Sequence, residues 1–128
     1  RGAVVIQGAF KNVATWGGKP LAAAGGADED IVLAKVDANG DHVWSKRFGS
    51  QFYDVPGGVA VDPSGAISIA GAFEKVISFS YTDEHTAIGE SDIFVARFDP
   101  AGVGIDRVVL KPRKADIAVE DVALVWAV

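Results

Sequence analysis

The sequence predicts an all-β fold in which two copies of a four-stranded antiparallel unit follow each other along the chain. Three observations predict this fold: an internal repeat relates the two halves, short apolar segments alternate with polar residues, and turn motifs that end in glycine separate these segments. No stretch sustains the 3.6-residue apolar period of an amphipathic helix. We therefore expect strands and hairpins, and no helix.

The repeat holds one register over most of its length. Residues 3–10 align with residues 66–73, so that Gly8 matches Gly71, and residues 30–40 align with residues 92–102. The shift is 63 residues in the first stretch and 62 in the second, with one inserted residue near Glu29. Twelve positions between residues 3 and 40 are identical in the two copies. The two copies are therefore predicted to fold into the same unit.

The first unit, residues 3–49, is expected to lack its opening strand. Its strands are predicted at residues 3–10, 30–37 and 41–48. The turn between the last two is Asp37-Ala38-Asn39-Gly40, where Asn and Gly suit a positive φ.

The second unit, residues 57–110, carries all four strands, at residues 57–62, 66–73, 92–99 and 103–110. In its two turns, proline sets φ at the second position and glycine accepts the positive φ that closes the hairpin. Residues 115–128 alternate again and are expected to supply one or two strands of a further unit.

Four-stranded units at a fixed period are typical of β-propeller blades, and residues 1–128 are accordingly interpreted as a single repeat domain of about two blades. Closed propellers have roughly 4 to 8 blades. Three arrangements follow: a partial propeller, a propeller completed by copies of the chain, or a β-sandwich of two face-packed sheets. The chain begins with Arg1 rather than Met, which favours a processed or excised piece of a longer protein.

One stretch resembles a known family. Residues 16–21, 24–26, 30–40, 43–49 and 58–65 resemble the SBBP-type bacterial β-propeller repeat. The second copy departs from the pattern at Asp106 and Lys111, which stand in the places of Trp44 and Gly49. The resemblance implies a bacterial protein that is exported, periplasmic or on the cell surface, and it carries no catalytic residues to this chain.

Composition excludes several classes of function. The net charge is −5, which disfavours a nucleic-acid partner, and no apolar run reaches the length of a membrane span. Cysteine is absent, so disulfides and thiolate metal sites are excluded. Residues 37–41 lack the full ligand spacing of a calcium loop, and His42 and His85 have no evident metal partners. We expect no metal site and no cofactor.

Any ligand is predicted to bind where the long connections meet, because alternate connections of an antiparallel sheet share one end and long loops on a rigid scaffold commonly bind ligands. Aromatic and polar side chains suit a sugar or peptide surface. The predicted contacts are Trp16, Gln51, Tyr53, Tyr81, Asp83 and His85. For Trp16, the alignment with Phe79 favours the alternative of a buried anchor.

The function expected from these features is a non-catalytic binding or scaffold module. Its partners are further blades of the same protein or copies of itself, with a protein or carbohydrate ligand. A lectin-like carbohydrate binder is the alternative. A hydrolase that uses Asp28, Asp83 and Glu84 is the third hypothesis, although no pair of these stands at a spacing that fixes an acid and a base.

Overall fold

The computed structural model describes residues 2–24, 28–80 and 83–110, with the side chains of residues 80, 83 and 104–110 outside the description. This part of the chain contains strands and turns and no helix, which confirms the all-β prediction. The strands are β1 (Val4–Phe10), β2 (Val13–Ala14), β3 (Leu21–Ala22), β4 (Asp30–Val36), β5 (His42–Phe48), β6 (Asp54–Val61), β7 (Ile67–Ser80), β8 (Asp83–Phe98) and β9 (Gly104–Leu110). None of the described residues forms a helix long and apolar enough to cross a membrane.

The strands form two main antiparallel sheets. The first has three strands in the order β1-β4-β5, and the second has four in the order β6-β7-β8-β9. The short pair β2-β3 lies within the connection from β1 to β4. The main strands lie close to where the sequence predicts them, with three differences. The pair β2-β3 forms in a connection that was expected to have no strand, and β6 begins at Asp54 rather than at residue 57. The largest difference is that β7 and β8 continue as a long hairpin through much of residues 74–91, which were expected to form a loop.

Apolar residues explain the extension of β7. Ile77 and Phe79 belong to the buried core, and Ile77 pairs with His85 across the hairpin. Because alternate residues of a strand point to the same side, Ile77 and Phe79 bury one face of this extension. The sequence-based expectation of a loop did not weigh this short alternation.

The three predicted tight turns, at residues 37–40, 62–65 and 99–102, share one pattern of hydrogen bonds. In each turn the glycine N–H donates to the carbonyl of the leading aspartate. One side-chain oxygen of that aspartate accepts the N–H groups two and four residues later. The glycines have φ of 88°, 87° and 81°, a region that glycine enters without steric cost. The turn prediction is confirmed.

The core lies between the two sheets. Phe48 of β5 stacks on Phe98 of β8 with ring centroids 5.1 Å apart, and it also meets Phe79 at 5.6 Å. Gln7 Nε2 donates to the carbonyl oxygen of Ala70 at 3.3 Å, which joins β1 to the second sheet. The buried core cluster consists of Ile31, Leu33, Phe48, Ile67, Ile69, Phe73, Ile77, Phe79, Phe94, Ala96 and Phe98.

The two sheets pack through faces that are not equivalent in the repeat. We call face 1 the side that carries Ile31 and Leu33 in the first sheet, and face 2 the side that carries Phe73 and Phe94 in the second. At the repeat shift of 62 residues, the equivalents of Ile31 and Leu33 are Ile93 and Val95. These alternate with Phe94 on β8 and therefore lie on face 1 of the second sheet, away from the first. The units thus stack head to tail.

Face-to-face packing of this kind occurs both in stacked blades and in sandwiches, and the described residues form no closed ring. The predicted blade boundaries at residues 3–49 and 57–110 remain predictions. The further strands predicted at residues 115–128 lie outside the described residues.

Candidate ligand-binding cleft

A cleft of about 550 Å³ opens where the end of β5 meets the extension of β7. This volume lies within the range of about 300 to 1,000 Å³ that is usual for small-molecule sites. The cleft is at the end of the sheets where the long connections lie, as the sequence predicts for a binding site. Its lining residues are Ala24, Lys46, Arg47, Phe48, Gly49, Ser78 and Phe79.

A fully buried aspartate holds one wall of the cleft. Asp30 begins β4, and its Oδ2 accepts the Ala24 N–H at 2.9 Å and forms an ion pair with Arg47 Nη1 at 2.8 Å. A charge-assisted bond of this kind orients the guanidinium group. Asp30 therefore fixes both the loop before β4 and the position of Arg47 beside the cleft.

A second buried aspartate ties the neighbouring connection to the first. Asp54 begins β6, and its Oδ2 accepts the Ser50 N–H at 2.8 Å, while its own N–H donates to the carbonyl of Glu29 at 3.1 Å. Burial raises the pKa of Asp54 to about 8; Asp30 and Glu74 raise it further, while Ser50 and Arg47 oppose the shift. Asp54 is therefore mostly protonated at neutral pH.

Gly49 separates these carboxyl groups, and the position requires glycine. A Cβ atom there would lie 2.7 Å from Asp54 Oδ2 and 2.8 Å from Asp30 Oδ1. The φ of Gly49 is 146°, which side-chain-bearing residues rarely adopt. Its N–H donates to the carbonyl of Ser78 at 3.4 Å, so this glycine also joins β5 to the second sheet.

The arrangement suits the positioning of loops better than proton transfer. Two carboxyl groups in different environments form the usual acid and base of a hydrolase, but both side chains are buried and each uses one oxygen on backbone N–H groups. Asp92, the equivalent of Asp30, accepts the Ile88 N–H at 3.0 Å in the second unit. The polar side chains that line the cleft are instead Lys46, Arg47 and Ser78.

None of the predicted contact residues whose side chains the structure describes lines the cleft. Trp16 is half-buried between β2 and β3, and its buried indole N–H has no acceptor within the described residues. Gln51 and Tyr53 are exposed in the connection from β5 to β6, directly before Asp54. The Tyr53 carbonyl accepts the Glu74 N–H at 2.9 Å.

The remaining predicted contacts belong to the long hairpin or its tip. His85 is half-buried in β8, with its ring edge to Phe79 at 6.0 Å. Asp83 is the first residue of β8, and its side chain is not described. Tyr81 lies outside the described residues. Binding by these six residues remains a prediction.

The aspartates that shape the cleft are the residues that sequence reasoning missed. Asp30 and Asp92 match in the repeat, and each directly precedes an apolar strand segment, which is the signal that could have identified them. Of the carboxylates in the hydrolase hypothesis, Asp28 is half-buried and Glu84 is exposed, and neither lines the cleft. Within residues 2–24, 28–80 and 83–110, no three His, Asp or Glu side chains are grouped to hold a metal ion.

A scan against protein-family models finds no match for this chain, and no curated protein matches its sequence significantly. A function must therefore be inferred from the stacking of the sheets and the chemistry of the cleft.

Proposed function

We propose that the chain is a non-catalytic scaffold and binding module of an exported or cell-surface bacterial repeat protein of the SBBP type. The observation that carries the proposal is the head-to-tail stacking of the sheets. Face 1 of the first unit packs on face 2 of the second, so the same two kinds of face remain outward at the two ends. Such heterologous contacts can be continued by further units, into a ring or an open array.

This stacking favours a propeller-like array over a two-fold sandwich. A sandwich of two related sheets arranged about a two-fold axis would bring equivalent faces together, with Ile31 opposite Ile93. Here Ile31 belongs to the core with Phe73 and Phe94, whereas Ile93 lies on the other side of β8. A repeat module that continues in both directions therefore explains the packing better.

The alternative is a carbohydrate-binding module, which the composition of the cleft favours. Lys46, Arg47 and Ser78 supply hydrogen-bond donors, and the Phe79 ring supplies an apolar wall. Donors beside an aromatic ring suit a sugar that bears a carboxylate. A hydrolase is the least supported candidate, because no Asp or Glu side chain among those that the structure describes lines this cleft.

A glycan array that includes acidic glycans separates the two leading candidates. The intact chain is compared with Lys46→Glu, which reverses a charge in the cleft, and with Lys11→Glu, which reverses one on an exposed residue outside it. A scaffold module retains no glycan. Binding that Lys46→Glu abolishes and Lys11→Glu preserves would replace the scaffold proposal with the carbohydrate binder.

A further inference from the structure

We propose that face 2 of the first sheet binds face 1 of the second sheet of another copy, so that copies of this chain associate head to tail. The inference rests on the proposed function, because it extends the internal stacking of two units to a contact between chains. The internal interface is the template, and the partner is a second copy of this chain.

Face 2 is complete in the second sheet and partly uncovered in the first. Val4 is 51% exposed, whereas Ile67, its equivalent in the repeat, is 0% exposed. Ile6 and Phe10 are half-buried, whereas their equivalents are fully buried against the first sheet. The difference is confined to β1, because Val32 and Ala34, on β4 of the same face, are fully buried. On β1, Val4, Ile6 and Phe10 are each more exposed than their equivalents, which have a neighbouring sheet.

On face 1, the apolar side chains are buried in the first sheet and more exposed in the second. Ile31 and Leu33 are fully buried in the internal interface. Their equivalents Ile93 and Val95 are half-buried on the outward side of β8. The outward face of each sheet therefore carries the same kinds of apolar side chain as the equivalent face that is buried inside the chain. Outward face 2 of the first sheet is thus complementary to outward face 1 of the second sheet, and neither face is complementary to itself.

Trp16, in the connection between β2 and β3, differs from its equivalent in the second unit in the same way. Phe79, its equivalent in the repeat, crosses the internal interface and meets Phe48 at 5.6 Å. Trp16 is half-buried on face 2 of the first unit, where Gly17 and Gly18 approach His42. The inference makes Trp16 an anchor for the second copy rather than a contact for a soluble ligand.

A polar contact fixes the direction of stacking. Lys35, on face 1 of the first sheet, donates through Nζ to the Pro100 carbonyl at 3.2 Å, and Trp44 Nε1 donates to the same carbonyl at 3.2 Å. The equivalent of Lys35 is Arg97, which is exposed on face 1 of the second sheet and forms an ion pair with Asp62 at 2.9 Å. In a head-to-tail contact, Arg97 would reach the turn at residues 37–40 of the second copy.

The test measures solution mass by light scattering on a sizing column, with concentrations up to about 1 mM, where a contact of even weak affinity is populated. Val4→Glu blocks face 2, and Val95→Glu blocks face 1. Val103→Glu is the matched control, because Val103 is 56% exposed and lies directly after the tight turn at residues 99–102, before β9 begins. Circular dichroism checks folding, and Arg97→Glu replaces Val95→Glu if the latter does not fold.

We expect the parent chain and Val103→Glu to associate into multiples of 13.3 kDa, and each face variant alone to associate at least tenfold more weakly. An equimolar mixture of the two face variants forms a dimer, because one intact face 1 then meets one intact face 2. A monomeric parent chain overturns the inference and leaves the repeat-module proposal standing. Association without rescue in the mixture also overturns it, because it indicates a two-fold interface.

Discussion

Asn12 and Lys75, which align at the repeat shift of 63 residues, adopt the same left-handed backbone conformation, with φ of 59° and 60°. Each stands two residues after the phenylalanine that the two units share. Asn12 follows β1, and Lys75 lies at the register shift between Glu74 and Val76 within β7. Left-handed backbone costs an ordinary L-residue roughly 1–2 kcal/mol, and asparagine less than most. The two units therefore share one backbone conformation two residues after this phenylalanine.

Replacement of Asn12 tests this conformation. Asn12→Gly is expected to match or exceed the stability of the parent chain, because glycine adopts positive φ freely. Asn12→Ala should lower the free energy of unfolding by about 1 kcal/mol, because alanine carries the full steric cost. Denaturant titration compares the three chains. Equal stability of the alanine and glycine variants would show that Asn12 does not hold a left-handed conformation in solution.

Gly49 is expected to tolerate no side chain, because both its φ and its surroundings require glycine. Gly49→Ala places a methyl group against two buried carboxyl groups and imposes an unfavourable φ, so we expect a loss of about 3 kcal/mol. Gly40→Ala is the matched control, because Gly40 has a φ of 88° but open space around its Cβ position. It should cost only about 1 kcal/mol. Equal losses would contradict the close approach of Asp30 and Asp54 to Gly49.

Asp54 makes stability depend on pH. Its pKa is raised from 3.8 to about 8 in the folded chain, so the folded state holds a proton that the unfolded state releases. The contribution of Asp54 to the free energy of unfolding is therefore greatest below pH 3.8 and falls as the pH rises to about 8. Asp54→Asn keeps a neutral side chain and should flatten this decline. The measurement is the free energy of unfolding at pH 5 and pH 8.

Asp62 supplies a control of opposite sign. Its pKa lies below the usual value, chiefly because the Ser64 hydroxyl donates to it at 2.6 Å. Its contribution to stability is therefore present above the unfolded pKa of 3.8 and declines as the pH falls. Asp62→Asn should leave the decline between pH 5 and pH 8 unchanged. A smaller decline in stability for Asp62→Asn, together with an unchanged decline for Asp54→Asn, would contradict the assignment of this pH dependence to Asp54.

Phe48 carries much of the contact between the sheets. It is 2% exposed and meets both Phe79 and Phe98, so Phe48→Ala should cost about 3 to 5 kcal/mol. Val103→Ala, at an exposed position directly after the turn at residues 99–102, should change stability by less than about 0.5 kcal/mol. Thermal unfolding followed by circular dichroism measures both. A small loss for Phe48→Ala would mean that the sheets do not depend on each other.

The strands and turns could be predicted because each of them depends on residues that are close together in the sequence. Asp62 and Gly65 bracket a turn whose hydrogen bonds and φ follow from these residue types, and Gly8 and Gly71 set the repeat. The extension of β7 was missed because its strand pattern around Ile77 is short. The existence of an all-β fold and its hairpins therefore follows from the sequence.

The cleft could not be predicted in the same way, because it depends on contacts between segments that are distant in sequence. Arg47 meets Asp30 only when β5 pairs with β4, and Ser78 meets Gly49 only where the two sheets stack. The predicted contacts Gln51 and Tyr53 were placed near the cleft by topology alone. The packing of face 1 on face 2 determines which side chains line the cleft.

The measurement that tests the central claim most directly is a search for nuclear Overhauser effects from the Phe48 ring in the isotope-labelled chain. Head-to-tail stacking predicts contacts from Phe48 to the rings of Phe98 and Phe79, whose centroids lie 5.1 Å and 5.6 Å away. Contacts from Phe48 to Ile93 and Val95 instead would show that equivalent faces meet, and would contradict the repeat-module account.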